Sequence, residues 1–136
     1  MNETDRYELL SRLHRGILVT RRRSGELQTS PIVGAADEEG RFLISSRETA
    51  FKVMNLRRDA RATVCLFVDE FFGGWVQIDG MADIVALPEA MDRLIATYRR
   101  IAGEHPDWDE YRAAMTSERR VIIAVDVDHI GPVASG

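Results

Sequence analysis

Polar and apolar positions alternate with changing period along this chain, and the changes mark its elements. Near the start, Tyr7, Leu10 and Leu13 recur at helical spacing, and Gly16 can end that helix. Three short runs of strand character follow: Gly16 to Arg22, Leu27 to Ala36, and Arg41 to Ser45. The turns between them carry Gly25 and Gly40, where a tight reversal favours a residue that tolerates positive φ. Thr49 to Arg58 reads as a short helix, with Phe51, Met54 and Val53 expected to face inward. Two longer strands, Ala62 to Val68 and Trp75 to Ala86, flank "DEFFGG", whose paired glycines permit a hairpin. An amphipathic helix, "EAMDRLIATYRRIAG", closes at Gly103, and a second, "PDWDEYRAAM", follows it. The last strand is expected from Arg119 to Gly131.

This order predicts an α+β fold with six strands joined largely by hairpins, hence an antiparallel sheet. A sheet this long and apolar leaves exposed edges unless it curls, so the expectation is a small barrel with helices outside. No linker, repeat or low-complexity segment divides the chain, and residues 1–136 are expected to form a single domain.

Composition narrows the function. With 45% hydrophobic residues in 136, the chain can fill a core. A formal net charge of -4, with both signs interspersed, argues against nucleic acid as a partner. No apolar run approaches the length of a membrane span, and no leader is recognisable, so the expected setting is cytoplasmic. Cys65 stands alone in the apolar run "ATVCLF" and is expected to be a buried, inert thiol. His14, His105 and His129 share no metal-ligand spacing. No nucleophile elbow, Walker loop or dinucleotide fingerprint occurs. Trp108 reads as an anchor between helices.

One departure changes the picture. Of 18 basic residues, only Lys52 is a lysine. It lies one turn into the helix that follows Ser45, Ser46 and Arg47. Hydroxyls, a guanidinium and free backbone N–H groups at a strand-to-helix junction suit an anion, and an ammonium on a flexible stem can reach back to it. The same residues also admit a plainer reading, in which Ser46 or Thr49 caps the helix and Lys52 faces water.

The segment "SSRETAFKVMNLRRDARA" resembles the phosphate-gripping region of the pyridoxamine-phosphate-oxidase-like split-barrel family. Within that family it is similar to the actinobacterial branch that uses the deazaflavin coenzyme F420. "GELQTSPIV" is similar to the second strand of that branch, and "YRRIAGEHPDWDEYRAAM" with "ERRVIIAV" to its C-terminal helices and last strand. The resemblance therefore covers nearly the whole chain. It implies a six-stranded antiparallel split β-barrel with flanking helices, assembled as a homodimer with cofactor at the interface. By the same resemblance Lys52, Ser45 and Ser46 would hold the cofactor phosphate. Gln28, Thr29 and Ser30 would face the ribityl chain and ring edge, and Trp75 would stand near the ring plane. Two positions depart from the branch: Ala50 stands where a basic residue is frequent, with Arg47 nearby either to substitute for that charge or to point outward, and Pro31 stands where some relatives have Asn. The branch's polyglutamate tail would call on Arg21, Arg22, Arg23, Arg57, Arg58, Arg61, Arg119 and Arg120, although the triplet beside a turn also reads as a solvated rim.

The implied activity is an F420H2-dependent reductase delivering hydride to a small or medium organic acceptor. FMN is the alternative cofactor, in a flavin reductase or pyridoxamine-phosphate-oxidase-like enzyme. A cofactor or haem carrier is the non-enzymatic alternative.

Overall fold

A computed structural model describes residues 2–135 of the chain. Helix α1 (Glu3–Ser11) leads into β1 (Arg15–Arg21), β2 (Leu27–Ala36) and β3 (Phe42–Arg47). Helix α2 (Phe51–Arg58), strands β4 (Arg61–Phe67) and β5 (Gly74–Val85), helices α3 (Met91–Ala102) and α4 (Trp108–Ser117), and β6 (Arg120–Ser135) complete it. The six strands close into a barrel in the order β1-β2-β3-β6-β5-β4, every neighbouring pair antiparallel. The predicted α+β barrel is the observed fold.

Alternation sets the inside of the barrel. Leu18, Phe42, Ile44, Val64, Leu66, Val76, Ile78, Val121 and Ile123 meet there, all buried. Strands β3 and β6 bury both faces, because Leu43, Ile122 and Ala124 point outward beneath α3 and α4. There they meet Leu94, Ile95, Tyr111 and Met115, which explains why "FLI" and "VIIAV" read as unbroken apolar runs. The core therefore has two layers: a filled barrel and a helical flap over one wall.

Three expectations need correction. Helix α2 starts at Phe51 after Ala50 in an extended conformation, with no side chain capping it, so neither Ser46 nor Thr49 serves as the cap. Its buried face is Val53 and Leu56, which join the barrel core, with Asn55 beside them. Phe51 and Met54 share another face and are exposed, because they lie roughly 130–170° around the helix from the centre of the buried pair. The final strand also runs past Gly131. Val133, Ala134 and Ser135 continue to pair with Val76, Trp75 and Gly74, accommodated by register shifts at Val76/Ile78 and Asp79/Gly80. Gly131 and Pro132 look like a strand stop, yet they fall inside an irregular ladder.

Cys65 is half-buried on β4, and desolvation raises its thiol pKa, which favours the unreactive protonated form at neutral pH. Trp108 does anchor the helical flap: Tyr98 and Tyr111 meet it edge-on, and the Arg99 guanidinium sits 4.7 Å above its ring. No described helix is long and apolar enough to cross a membrane.

Candidate functional site

The junction after β3 forms one end of a cleft of about 470 Å³ between the barrel wall and the α3–α4 flap. Ser45, Lys52 and Arg120 line its polar end. Pro31, Ile32 and Val33 of β2 form one side; Leu94, Thr97, Tyr98 and Ile101 of α3 form the other, with Tyr111 and Met115 of α4. The cleft is thus apolar along most of its length and cationic at one end.

Fold and sequence together place these groups. Ser45 pairs with Ile122 in the β3–β6 ladder, and Arg47 pairs with Arg120, so the start of β6 brings a second cation beside the strand-to-helix junction. Arg120 donates to Glu118 Oε1 from both Nε (3.2 Å) and Nη2 (2.8 Å), while Arg47 Nη2 donates to the same oxygen at 3.3 Å. These bonds hold the Glu118 carboxyl below its usual pKa range and fix the direction of Arg120. Lys52 has no such partner among the described residues. The nearest acid on its own segment, Glu48, is engaged by Arg57 at 2.6 Å. Lys52 is half-buried, and both burial and the Arg120 charge lower its pKa from 10.5. A partly desolvated ammonium facing another cation is costly without an anion to share.

The other singled-out residues separate. Adjacent residues on a strand face opposite ways, so Ser46 turns from the cleft toward the barrel interior, where it is buried beside the Phe42 and Ile44 face. Its hydroxyl donates to Arg47 O, at 3.4 Å. Arg47 is exposed and ion-paired with Glu118, and is not among the residues that line the cleft. Gln28 Oε1 accepts from Asn55 Nδ2 at 3.2 Å, in a polar knot that also ties Asn55 to Thr20. Thr29 is exposed and Ser30 half-buried, and the cleft takes Pro31 to Val33 from this strand instead. Trp75 lies in a separate cleft of about 240 Å³ with Leu9, Leu13 and Val133. The chain therefore assembles Ser45 and Lys52 with Arg120, and leaves Trp75 apart.

Sequence reasoning missed the α3–α4 wall. Thr97, Ile101 and Met115 lie far from Lys52 in the chain, and helical periodicity marks them only as core. A second cleft of equal volume, between α1 and β6, is lined by Glu3, Glu38, Glu39 and Asp126 with the single cation Arg6, and so has the wrong charge for an anion.

A closed six-stranded antiparallel barrel with flanking helices defines a split-barrel protein. The chain belongs to the pyridoxamine 5'-phosphate oxidase family, whose model matches residues 6–134. Solved structures agree on the fold. A conserved hypothetical protein of Mycobacterium tuberculosis, Rv2991, superposes with a TM-score of 0.77 at 23% identity, covering 96% of this chain and 82% of that one. A protein described as an F420 reductase is also 23% identical, with a TM-score of 0.68 over 91% of this chain and 94% of its own. General Stress Protein 26 of Bacillus anthracis shares 12% identity and a TM-score of 0.66, with full coverage of both chains.

Proposed function

We propose that this chain is an F420H2-dependent reductase that acts as a homodimer on a small or medium organic acceptor. One observation carries the reading: Lys52, which has no counter-charge among the described residues, lines the polar part of an apolar cleft together with Arg120 and Ser45. A phosphodiester on a planar, largely apolar ring system matches both ends. Lys52 and Arg120 would hold the phosphate with Ser45, each charge-assisted bond contributing about 1.5–3 kcal/mol. Pro31, Val33, Leu94, Ile101 and Met115 would exclude water from the ring. The bound deazaflavin supplies the hydride chemistry, and the chain supplies orientation, dryness and charge. A similar structure described as an F420 reductase supports this choice over FMN.

The outer faces of β1, β2 and β4 favour a dimer. Leu27 and Val33 are exposed there, and Ile17, Val19, Cys65 and Phe67 are half-buried. A partner covering that surface would also allow Trp75 to approach the neighbouring cofactor, which it does not do within one protomer.

Fluorescence titration with F420 and with FMN tests the cofactor. F420 is expected to bind more tightly, and its polyanionic tail should make binding weaken as salt is raised. Tighter binding of FMN would transfer the proposal to the flavin alternative. Stopped-flow reoxidation of bound F420H2 by enones, quinones and tetrapyrroles then separates a reductase from a carrier. If no acceptor accelerates reoxidation, the carrier alternative is favoured.

The lowered pKa of Lys52 makes a further prediction. An anion favours the charged ammonium, so affinity should be full at neutral pH and fall as pH rises through that pKa, with the fall beginning below 10.5. In the unliganded protein the sign is opposite. The unfolded chain keeps its proton longer, so stability should rise with pH between the lowered value and 10.5. Dissociation constants and urea midpoints measured across this range check both directions.

A further inference from the structure

A further cleft, of about 570 Å³, opens where α1 runs into β1. Strand pairing builds its floor. Arg15 lies opposite Val33 of β2 on one side and Phe67 of β4 on the other, and residues paired in register share a face of the sheet. Arg12 and His14, from the end of α1 and the turn after it, and Asp69, just past β4, complete the walls. Arg12 donates from Nε to Glu8 O at 3.2 Å and has no carboxylate partner among the described residues. Arg15 Nε meets Asp69 Oδ1 at 3.4 Å, but both side chains are mostly exposed (64% and 85%), so the pair is weak and exchangeable. His14 is pinned through Nδ1 on Gly34 O at 2.9 Å, and because a carbonyl only accepts, Nδ1 carries a proton. Two guanidiniums against one carboxylate make this cleft cationic, in a chain whose formal net charge is -4. Val33 and Ile101 line both this cleft and the Lys52 cleft, so the two adjoin across an apolar divide.

We infer that this second cleft is the acceptor subsite, and that it selects planar, conjugated acceptors carrying a carboxylate. The inference rests on the cofactor reading given above and narrows its acceptor class. With the phosphate at Lys52 and the ring along Val33 and Ile101, the adjoining cleft is where a receiving molecule has room. Phe67 offers that molecule a flat apolar face, and Arg12 and Arg15 offer its carboxylate charge-assisted bonds. The cofactor's own tail is attached at the phosphate, and Lys52, Ser45 and Arg120 line only the first cleft. Val33 and Phe67 also border the face proposed for the dimer, which puts the acceptor at the same interface as the cofactor.

The probes are two methylnaphthoquinones that differ only in a side chain, a propionate in one and the neutral propionamide in the other. Calorimetric titration of the unliganded and the F420-loaded protein gives their dissociation constants at low and moderate salt. In the loaded protein Lys52 is already engaged, so a preference measured there isolates the second cleft. The loaded parent is expected to prefer the propionate about 5- to 20-fold, and the preference should shrink as salt is raised. Arg12→Gln and Arg15→Gln should each cut it about threefold, and the double variant should abolish it. Asp69→Asn should raise it about twofold, because a competing carboxylate leaves the cleft, a gain that a merely structural ion pair would not give. Equal affinity of the parent for both probes would overturn the subsite and leave the cofactor reading intact. A preference that survives the double variant would also overturn it, by placing the carboxylate elsewhere. Loss of F420 affinity in the double variant, with the probe preference unchanged, would overturn it by assigning these arginines to the cofactor's tail. A parent that binds neither F420 nor FMN would overturn the cofactor reading, and the acceptor role with it.

Discussion

Lys52→Ala is expected to weaken cofactor binding by roughly ten- to a hundredfold, about 1.4–3 kcal/mol. Two opposing terms set that size. The ammonium is half-buried next to Arg120, so in the free protein its charge is a burden that the substitution lifts. In the complex the same charge meets a phosphate in a partly dry cleft, and the attraction exceeds the burden. The variant should therefore be no less stable than the parent when unliganded, and clearly weaker in binding. Lys52→Arg should recover only part of the affinity. A guanidinium is wider, and it would compete with Arg120 for the space beside Ser45. Fluorescence titration at low and moderate salt reads all three proteins. Equal affinity in Lys52→Ala and the parent, with the fold intact, would remove Lys52 from the site and leave its missing counter-charge without a ligand to explain it.

Much of this site is legible in the sequence, though unevenly. Lys52 stood out by composition, as a lysine in a chain that otherwise uses arginine. The barrel was legible because strand alternation is a local property that each segment displays by itself. Ser45 and Ser46 were not separable, since the sequence does not show which of two adjacent hydroxyls faces the core. The strand ladder decides it, through the partners of Phe42 and Ile44. The phase of α2 failed for a related reason. Phe51 and Met54 are as apolar as Val53 and Leu56, and only the position of the helix against the barrel selects the second pair. Arg120 appeared as one of many candidate cations. What distinguishes it is pairing across from Arg47, a contact more than 70 residues away in sequence. Local patterns thus identified the elements, while the site depended on registers and on which helix lies over which strand.

The largest expected loss of stability comes from a residue outside the cleft. Gly80 lies in β5 between β4 and β6, opposite Ala62 on one side and Val127 on the other, and adjoins the register shift at Asp79/Gly80. A Cβ placed there would stand 2.0 Å from Asp126 O and 2.8 Å from its carbonyl carbon, and both are backbone atoms. No side chain can rotate away to relieve the clash, so the two strands must part. Gly80→Ala is expected to destabilise the protein by about 3 kcal/mol, a melting-temperature drop on the order of 10 °C. Gly40→Ala is the natural control. Its φ is +80° and nothing lies within 4 Å of an added Cβ, so only backbone strain of about 1 kcal/mol applies. Urea unfolding of both variants measures the difference, and equal losses would show that the strands can separate at Gly80 without penalty. The consequence would extend to the site, because β6 also carries Arg120. A strand displaced at Asp126 is continuous with the segment that sets this cation beside Lys52, so Gly80→Ala should weaken cofactor binding as well, whereas Gly40→Ala should leave it unchanged.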